Sequence, residues 1–257
     1  MVILIGLIIV FGIVTVESVF STSLVALGVS LIVMLWLLQT FLPCFPMPSL
    51  LIFKETIHYG IKVYLTDFFS FLALRMNLLI IQYMLGAETV GYYSIATTFT
   101  DMIYVFPMVV GTLLFPKLSA FTNDEEKWKL TMKVTSAIAI PMAVICGGIA
   151  IVARPLILTL YGKSFTPSVL LVNLSLISTY FLSIQGILVK YMASSGYPST
   201  IMWIWFSTMV IGLSLNVLFI SMTGFPGAMY ASILTNFILM VQIMYFSVRH
   251  HRAVGLS

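Results

Sequence analysis

Three ionisable side chains lie inside otherwise apolar stretches of this sequence, and they are the residues best placed to do chemistry. Asp67 and Arg75 belong to a run over residues 60–84, and Asp101 belongs to a run over residues 91–115. A charged side chain near the middle of a bilayer costs about 2.5 to 3.5 kcal/mol on insertion scales, so such groups normally face a protein interior or a water-filled cavity. The three charges therefore predict the inward-facing side of a pair of helices.

The spacing of these residues predicts that Arg75 and Asp101 meet. Each lies thirteen residues from Glu88, and two antiparallel helices joined there would hold both side chains at the same depth. Gly86 and Gly91 bracket the expected turn, where the chain needs conformations that glycine adopts easily. At 100° per residue, four polar residues of the first run share an arc of about 80°: Tyr64, Asp67, Arg75 and Gln82. Four more surround Asp101 on the second run: Ser94, Thr97, Thr98 and Tyr104.

The composition indicates the class of protein to which this pair of helices belongs. Of the 257 residues, 61% are hydrophobic and 8% are charged, whereas soluble domains carry about 25% charged residues. The sequence therefore predicts an all-α polytopic membrane protein. Apolar runs long enough to cross a bilayer give about eight transmembrane helices, at residues 1–16, 20–42, 60–84, 91–115, 131–153, 168–192, 198–221 and 226–247.

Basic residues are distributed unevenly between the two sides of the expected membrane. When the loops are assigned alternately, one side has only Arg154 and Lys163. The other collects Lys54, Lys117, Lys127, Lys129, Lys133, Arg249 and Arg252. The positive-inside rule places this second side, with the C-terminus, in the cytoplasm. The same bias accounts for the net charge of +4, so we expect no nucleic-acid partner.

Prolines and polar residues divide the chain further. Pro43, Pro46 and Pro48 cannot continue a helix, and they predict a cytoplasmic linker over residues 43–59. This linker separates two helices in residues 1–42 from six helices in residues 60–248, with a cytoplasmic tail at residues 249–257. Cys44 and Cys146 are far apart and lack the spacing of metal ligands, so we predict neither a metal nor a cofactor.

The sixth expected span is too polar for a helix that faces lipid on all sides. It contains Asn173, Ser175, Ser178, Thr179, Ser183 and Gln185. Some of these should face other helices. Lys190 lies near the cytoplasmic end of the same span, where its side chain either extends to the membrane surface or contacts a substrate. Asn216 and Asn236 add single polar groups to the last two spans.

A series of short motifs runs along the chain. The hairpin has R-x-N (Arg75, Asn77), L-G-x-x-x-V-G-Y-Y at residues 85–93 and L-F-P-K-L-S at residues 114–119. L-Y-G-K-S-F follows at residues 160–165 and G-F-P-G-A-x-x-A-S at residues 224–232. In this order the motifs resemble the C-terminal half of bacterial polysaccharide-repeat flippases, in the multidrug, oligosaccharidyl-lipid and polysaccharide exporter superfamily. The resemblance covers about residues 51–248. The family often has R-x-D where this chain has R-x-N.

The resemblance implies two six-helix lobes around a central cavity. The third to eighth spans would form the C-terminal lobe, and the first two would match the last pair of the N-terminal lobe. The chain would then lack about four helices of the family's pattern, as either a truncated gene product or a fragment of a longer flippase would. The implied substrate is an oligosaccharide repeat unit on polyprenyl pyrophosphate, moved across the bacterial inner membrane for O-antigen or capsule synthesis. Membrane lipids and other polysaccharide-assembly proteins are the further partners implied.

On this interpretation the expected cavity and substrate residues are Arg75, Asp101, Asp67, Tyr64, Gln82 and Lys190. Arginine suits a pyrophosphate or an acidic sugar because of its forked donors. The alternative for Arg75 and Asp101 is a buried structural pair. Other functions remain open: a drug or cation antiporter of the same superfamily, a membrane-embedded glycan-assembly enzyme, or a partner protein that does not transport. The enzyme is disfavoured, since His58, His250 and His251 lie at or beyond cytoplasmic helix ends and no acid-base constellation appears in an outer loop.

Overall fold

The computed structural model describes residues 16–41, 49–196 and 199–254, with side chains described for 21–39, 49–196 and 199–253. The chain divides into two units, residues 1–55 and 56–257. In the first unit, α1 (Val16–Phe41) is an apolar helix whose described side chains are mostly exposed, including Leu24, Ile32 and Met34. The expected span over residues 1–16 lies outside the described residues, apart from Val16.

The second unit begins with the predicted helical hairpin. Helix α2 (Leu50–Leu85) and helix α3 (Ala87–Ala120) are separated by a single residue, Gly86. Gly86 has φ = 86°, in the region that residues with a Cβ rarely occupy. One glycine therefore makes the reversal, and the turn is shorter than the expected segment from Gly86 to Gly91.

Helix α4 (Asp124–Leu160) and helix α5 (Pro167–Ser194) form the next pair. The Asn123 side chain accepts a hydrogen bond from the backbone N–H of Glu125 at 2.9 Å, which satisfies one of the free donors at the start of α4. A short 3-10 turn, Lys163–Phe165, precedes α5. Pro167 stands at the first position of α5, where a missing N–H costs nothing.

Helix α6 (Ser199–Thr223) and helix α7 (Gly227–Val254) complete the second unit. They approach closely because the residues at their crossing points are small. A Cβ on Gly227 would lie 2.2 Å from the carbonyl oxygen of Phe219. Ala228 and Ala231 are fully buried, and Gly224, with φ = 70°, provides the turn between the two helices.

Helix α5 is the central element, since it packs against α3, α4 and α7, while α6 packs against α7. Two apolar clusters lie along these contacts. One includes Met142, Leu188 and Ile243, and the other includes Ile157 and Leu171. Helix α2 joins the others through side chains rather than through close backbone approach, for example where the Phe69 and Phe206 rings meet at 5.2 Å.

The described part of the chain contains seven helices long and apolar enough to cross a membrane, so this is an all-α polytopic membrane protein. Several boundaries differ from those expected. Residues 50–59 of the expected linker belong to α2, because the nearest prolines all precede Ser49. Residues 249–254 of the expected tail belong to α7, where basic side chains suit the negative end of the helix dipole.

The helices also continue through prolines. Helix α3 passes Pro116 and ends at Ala120, and α4 runs as one helix through Pro141 and Pro155. Membrane helices tolerate proline because neighbouring groups satisfy the freed carbonyls. The polar segment from Asp124 to Lys129 is the first part of α4.

Candidate functional site

Arg75 and Asp101 form the ion pair that their equal distance from Glu88 predicts. Arg75 Nη2 donates a hydrogen bond to Asp101 Oδ2 at 2.9 Å, and the two side chains are 44% and 56% exposed. The hairpin turn at Gly86 places α2 and α3 antiparallel, which brings the two residues to one level. The pair is accessible rather than buried, so both groups remain available to a further partner.

The ion pair lies in the wall of a cavity of about 460 Å³ among the helices. Helix α2 contributes Arg75 and Asn77, and α3 contributes Asp101 together with Thr97 and Tyr104. Further polar lining residues come from the other helices: Ser175, Ser178, Asn216, Ser232, Thr235 and Asn236. The cavity wall therefore has one arginine and one carboxylate, which neutralise each other. The rest of the wall is uncharged, with apolar side chains such as Leu74 and Met108 among the polar ones.

Asn77, two residues after Arg75, connects three helices at this cavity. Its Nδ2 donates to Tyr93 Oη at 3.1 Å and to Ser232 Oγ at 2.9 Å. Tyr93 and Ser232 are themselves 3.3 Å apart. Asn77 is 8% exposed and Tyr93 4%, so these bonds form largely away from solvent, where they are stronger than at a surface.

A second group of amides and hydroxyls lines the part of the cavity formed by α5, α6 and α7. Asn236 Nδ2 donates to Ser178 Oγ at 2.6 Å, and Asn216 Nδ2 donates to the carbonyl of Gly212 at 2.8 Å. Asn216 Oδ1 and Thr235 Oγ1 are buried and have no hydrogen-bond partner among the described residues. Buried polar atoms are nearly always satisfied, so these two oxygens are exceptions that lie just behind the cavity surface.

The remaining residues expected at the site lie elsewhere. Asp67, Tyr64 and Gln82 are exposed on α2, and none of them lines the cavity. Tyr64 is 65% exposed and its ring stacks against Phe68 with a centroid distance of 6.2 Å. The carbonyl of Asp67 accepts a bond from the Ser70 hydroxyl at 2.8 Å.

Lys190 also lies outside the cavity lining. Its Cε would be 3.3 Å from a Cβ added to Gly111 of α3, so the lysine stem covers that glycine. Close contact between α3 and α5 at this level thus depends on glycine in one helix and on a flexible side chain in the other. Lys190 is half-buried, which fits a side chain that packs its stem and extends its amine.

The hydrogen-bonded groups around Asn77 and Asn236 were absent from the expected substrate residues. Their signal in the sequence is the same as that of Arg75, namely single polar residues within apolar runs. Pairing Asn77 with Ser232 across 155 positions requires the packing of α2 against α7, which no spacing argument supplies. The sixth-span residues Ser175 and Ser178 do face other helices, as the polarity of that span predicted.

These features define a polytopic membrane protein with a polar cavity among its helices. The model of the family described as polysaccharide biosynthesis protein matches residues 1–170 of the 257. The chain belongs to this family, and its role lies in polysaccharide biosynthesis. No curated protein and no solved structure matches the chain significantly.

Proposed function

We propose that the protein is a flippase that moves oligosaccharide repeat units linked to polyprenyl pyrophosphate across the bacterial inner membrane. The observation that carries this proposal is the exposed Arg75–Asp101 pair in the wall of an otherwise uncharged polar cavity. Such a cavity offers different surfaces to the two polar parts of the substrate, the pyrophosphate and the sugars.

Arg75 has the donors that a phosphate requires. A guanidinium group carries five N–H donors, and Asp101 takes one of them from Nη2. The others are free to form charge-assisted bonds, which are about twice as strong as neutral ones. Asp101 then holds the guanidinium in place and lowers the cost of keeping it in the membrane between transport events.

The amides and hydroxyls of the cavity suit sugars. A sugar hydroxyl donates as well as accepts hydrogen bonds, so uncharged polar side chains of the lining, such as Thr97 and Thr100, can serve as its partners. An organic cation, the substrate of an antiporter, would gain little here, because the one carboxylate among the lining residues is already paired with Arg75. The same lining lacks histidine, which favours binding and transport over acid-base catalysis.

The contacts at the ends of the helices support the proposed orientation. The start of α4 and the end of α7 lie together, since Asp124 Oδ2 and His251 Nδ1 are 3.3 Å apart. Lys127, Lys129 and Lys133 follow in α4, and Arg249 and Arg252 lie in α7. We propose that this basic end faces the cytoplasm, in line with the positive-inside rule.

A charge-swap experiment separates the substrate role of Arg75 from a structural one. Arg75→Gln, Asp101→Asn and the double variant Arg75→Asp/Asp101→Arg are compared in proteoliposomes, where flipped oligosaccharide is measured by its accessibility to an added glycosidase. We expect Arg75→Gln to lower transport at least tenfold, because each charge-assisted bond to the phosphate is worth about 1.5 to 3 kcal/mol. The double variant should refold to near wild-type stability and still fail to transport.

Arg154→Gln is the matched control, since Arg154 is exposed in α4 and does not line the cavity. It should transport normally. Full transport by the double variant would assign the pair a structural role and remove Arg75 from substrate binding. The antiporter would be favoured instead if the wild type exported a cationic dye but did not flip oligosaccharide, and if Asp101→Asn abolished that export.

A further inference from the structure

A second, apolar groove lies near the basic end of the helices, away from the polar cavity. It has a volume of about 430 Å³ and is lined by residues of α4, α5 and α7. These residues are Met132, Thr135, Ile184, Leu188, Met240, Val241, Met244 and Tyr245. Thr135 donates its hydroxyl to the carbonyl of Thr131 at 2.8 Å, so its polar atom is satisfied within α4. The groove therefore accepts hydrocarbon.

The position of the groove along α4 and α7 places it in one leaflet. Asp124 and His251, which meet at 3.3 Å, mark the end of the bundle. Met132 lies eight residues after Asp124, about 12 Å along the helix, and Tyr245 lies six residues before His251, about 9 Å along. A hydrocarbon chain in the groove would thus have its polar head close to this end.

The end of α7 continues the groove with positive charge. Residues four and seven positions apart lie on one face of a helix, and these positions after Tyr245 are Arg249 and Arg252. Both arginines are exposed, and neither forms an ion pair within residues 49–196 and 199–254. On the α4 side Lys129 is already paired with Glu125 at 2.7 Å, whereas the two arginines of α7 add unpaired positive charge in line with Tyr245.

An aromatic cluster lies at the same end of the bundle. The rings of Trp128 and His251 stack with a centroid distance of 5.0 Å, and Trp128 lies four residues before Met132 on the same face of α4. Trp128 also meets Tyr191 of α5 at 5.2 Å. These rings join α4, α5 and α7 next to the contact between Asp124 and His251, and aromatic side chains are typical of the membrane–water interface.

We propose that the groove binds one anionic membrane phospholipid, with an acyl chain along Val241 and Met244 and the phosphate at Arg249 and Arg252. The charge decides the kind of lipid, since basic sites between membrane helices select anionic headgroups. The lipid is a resident of the leaflet rather than the transported molecule, because the groove lacks the polar lining that sugars need. This site stands independently of the proposed flippase activity.

Native mass spectrometry of the purified full chain in detergent tests the proposal, with phosphatidylglycerol and phosphatidylcholine as probes. We expect one phosphatidylglycerol to bind at least tenfold more tightly than phosphatidylcholine. Arg249→Gln/Arg252→Gln should weaken phosphatidylglycerol binding about twenty-five-fold, roughly fivefold for each arginine, and weaken phosphatidylcholine binding much less, because the choline cation offsets the charge of its phosphate. Lys163→Gln is the control, because it removes an exposed cation that lies in neither α4 nor α7. It should leave the affinities for both phospholipids unchanged.

Filling the groove tests its apolar part separately. Val241→Trp should weaken binding of both lipids, whereas Val210→Trp on α6 should not. The two valines match as sites because they are 47% and 45% exposed, while Val241 alone lines the groove. Size-exclusion chromatography checks that each variant remains folded. The Arg249→Gln/Arg252→Gln variant tests the same site without altering the helix packing.

Several results would overturn the proposal. Equal affinity for the two phospholipids would contradict selection by charge. Equal losses of lipid affinity in Val241→Trp and Val210→Trp would contradict binding in the groove. Displacement of phosphatidylglycerol by polyprenyl phosphate with tenfold higher affinity would make the carrier lipid the occupant. A wild-type dimer that Val241→Trp converts to a monomer would make the groove a protein interface.

Discussion

At the scale of single residues, the polar groups of this protein are organised by hydrogen bonds between helices. Asn77 joins α2 to α3 and α7 through the hydroxyls of Tyr93 and Ser232. Within a membrane such bonds contribute modestly, about 0.6 kcal/mol on average, because the unfolded state also finds partners. Their larger effect is to fix which faces of the helices meet, since leaving one partner unsatisfied costs more than the bond itself gains.

We predict that Tyr93→Phe lowers the free energy of unfolding by about 0.6 to 1.5 kcal/mol, because the ring stays in place while the bonds to Asn77 and Ser232 are lost. The measurement is reversible unfolding of the purified protein in mixed micelles. Tyr83→Phe is the control, since Tyr83 lies in α2 and is 93% exposed. A loss for Tyr83→Phe as large as that for Tyr93→Phe would show that the hydroxyl bonds of Tyr93 are not the cause.

The sequence was informative about residues in the hairpin and less so elsewhere. The Arg75–Asp101 contact follows from counting residues on either side of one turn, because antiparallel neighbours keep equal depth. The contacts from Asn77 to Ser232 and from Asn236 to Ser178 join helices far apart in the sequence. Their formation depends on the rotation and crossing of those helices, which are set by packing and not by local spacing.

At the scale of elements, small residues decide how closely helices pack. The turn between α6 and α7 depends on Gly227, whose missing side chain lets the start of α7 lie directly on the backbone at Phe219. Packing in membranes relies on such close approach because hydrocarbon gives apolar faces no drive to associate. The seven helices of the described residues were predictable, in their order, from apolar runs, whereas their ends were not, because helices continue into polar interfacial segments and through proline.

Replacing Gly227 by alanine should therefore destabilise the protein by about 3 kcal/mol or prevent folding. The added Cβ would meet backbone atoms of Phe219 at 2.2 and 2.4 Å, which cannot move aside as a side chain can, and overpacking costs of this size are at the upper end of the usual range. The yield of monodisperse protein and its unfolding midpoint measure the effect.

Gly147→Ala in α4 provides the comparison for Gly227→Ala. No atom lies within 4 Å of a Cβ added there, and alanine favours the helix over glycine by up to about 1 kcal/mol. We expect this variant to match or exceed the stability of the wild type. Normal stability of Gly227→Ala would contradict the close packing of α6 and α7 at their turn.

At the scale of the whole molecule, exposure has two meanings, since some exposed residues face lipid and others face the cavity. Met108 and Val109 of α3 illustrate the difference. They are 49% and 48% exposed and adjacent in sequence, but only Met108 lines the polar cavity. One side of α3 therefore faces lipid through apolar side chains, and the other side faces the polar groups of the cavity.

We predict that a membrane-impermeant maleimide labels Met108→Cys and not Val109→Cys in a chain whose Cys44 and Cys146 are replaced by serine and alanine. Maleimide reacts with the thiolate, which forms readily in water and poorly in hydrocarbon. Labelling rates in proteoliposomes, quantified by mass shift, should differ at least tenfold. Equal rates at the two positions would mean that the cavity does not admit water.

The attachment of α2 has a consequence for the path a substrate takes. This helix meets its neighbours through side chains, among them Arg75, Asn77 and the buried Ile81, rather than through closely packed backbone. Separating α2 from α3 and α7 therefore breaks a small number of polar bonds and the apolar contacts around Ile81, but no close packing of backbone on backbone. A molecule with a long hydrocarbon tail could pass sideways between these helices with its tail still in the bilayer, so that only its head group would need to cross the protein.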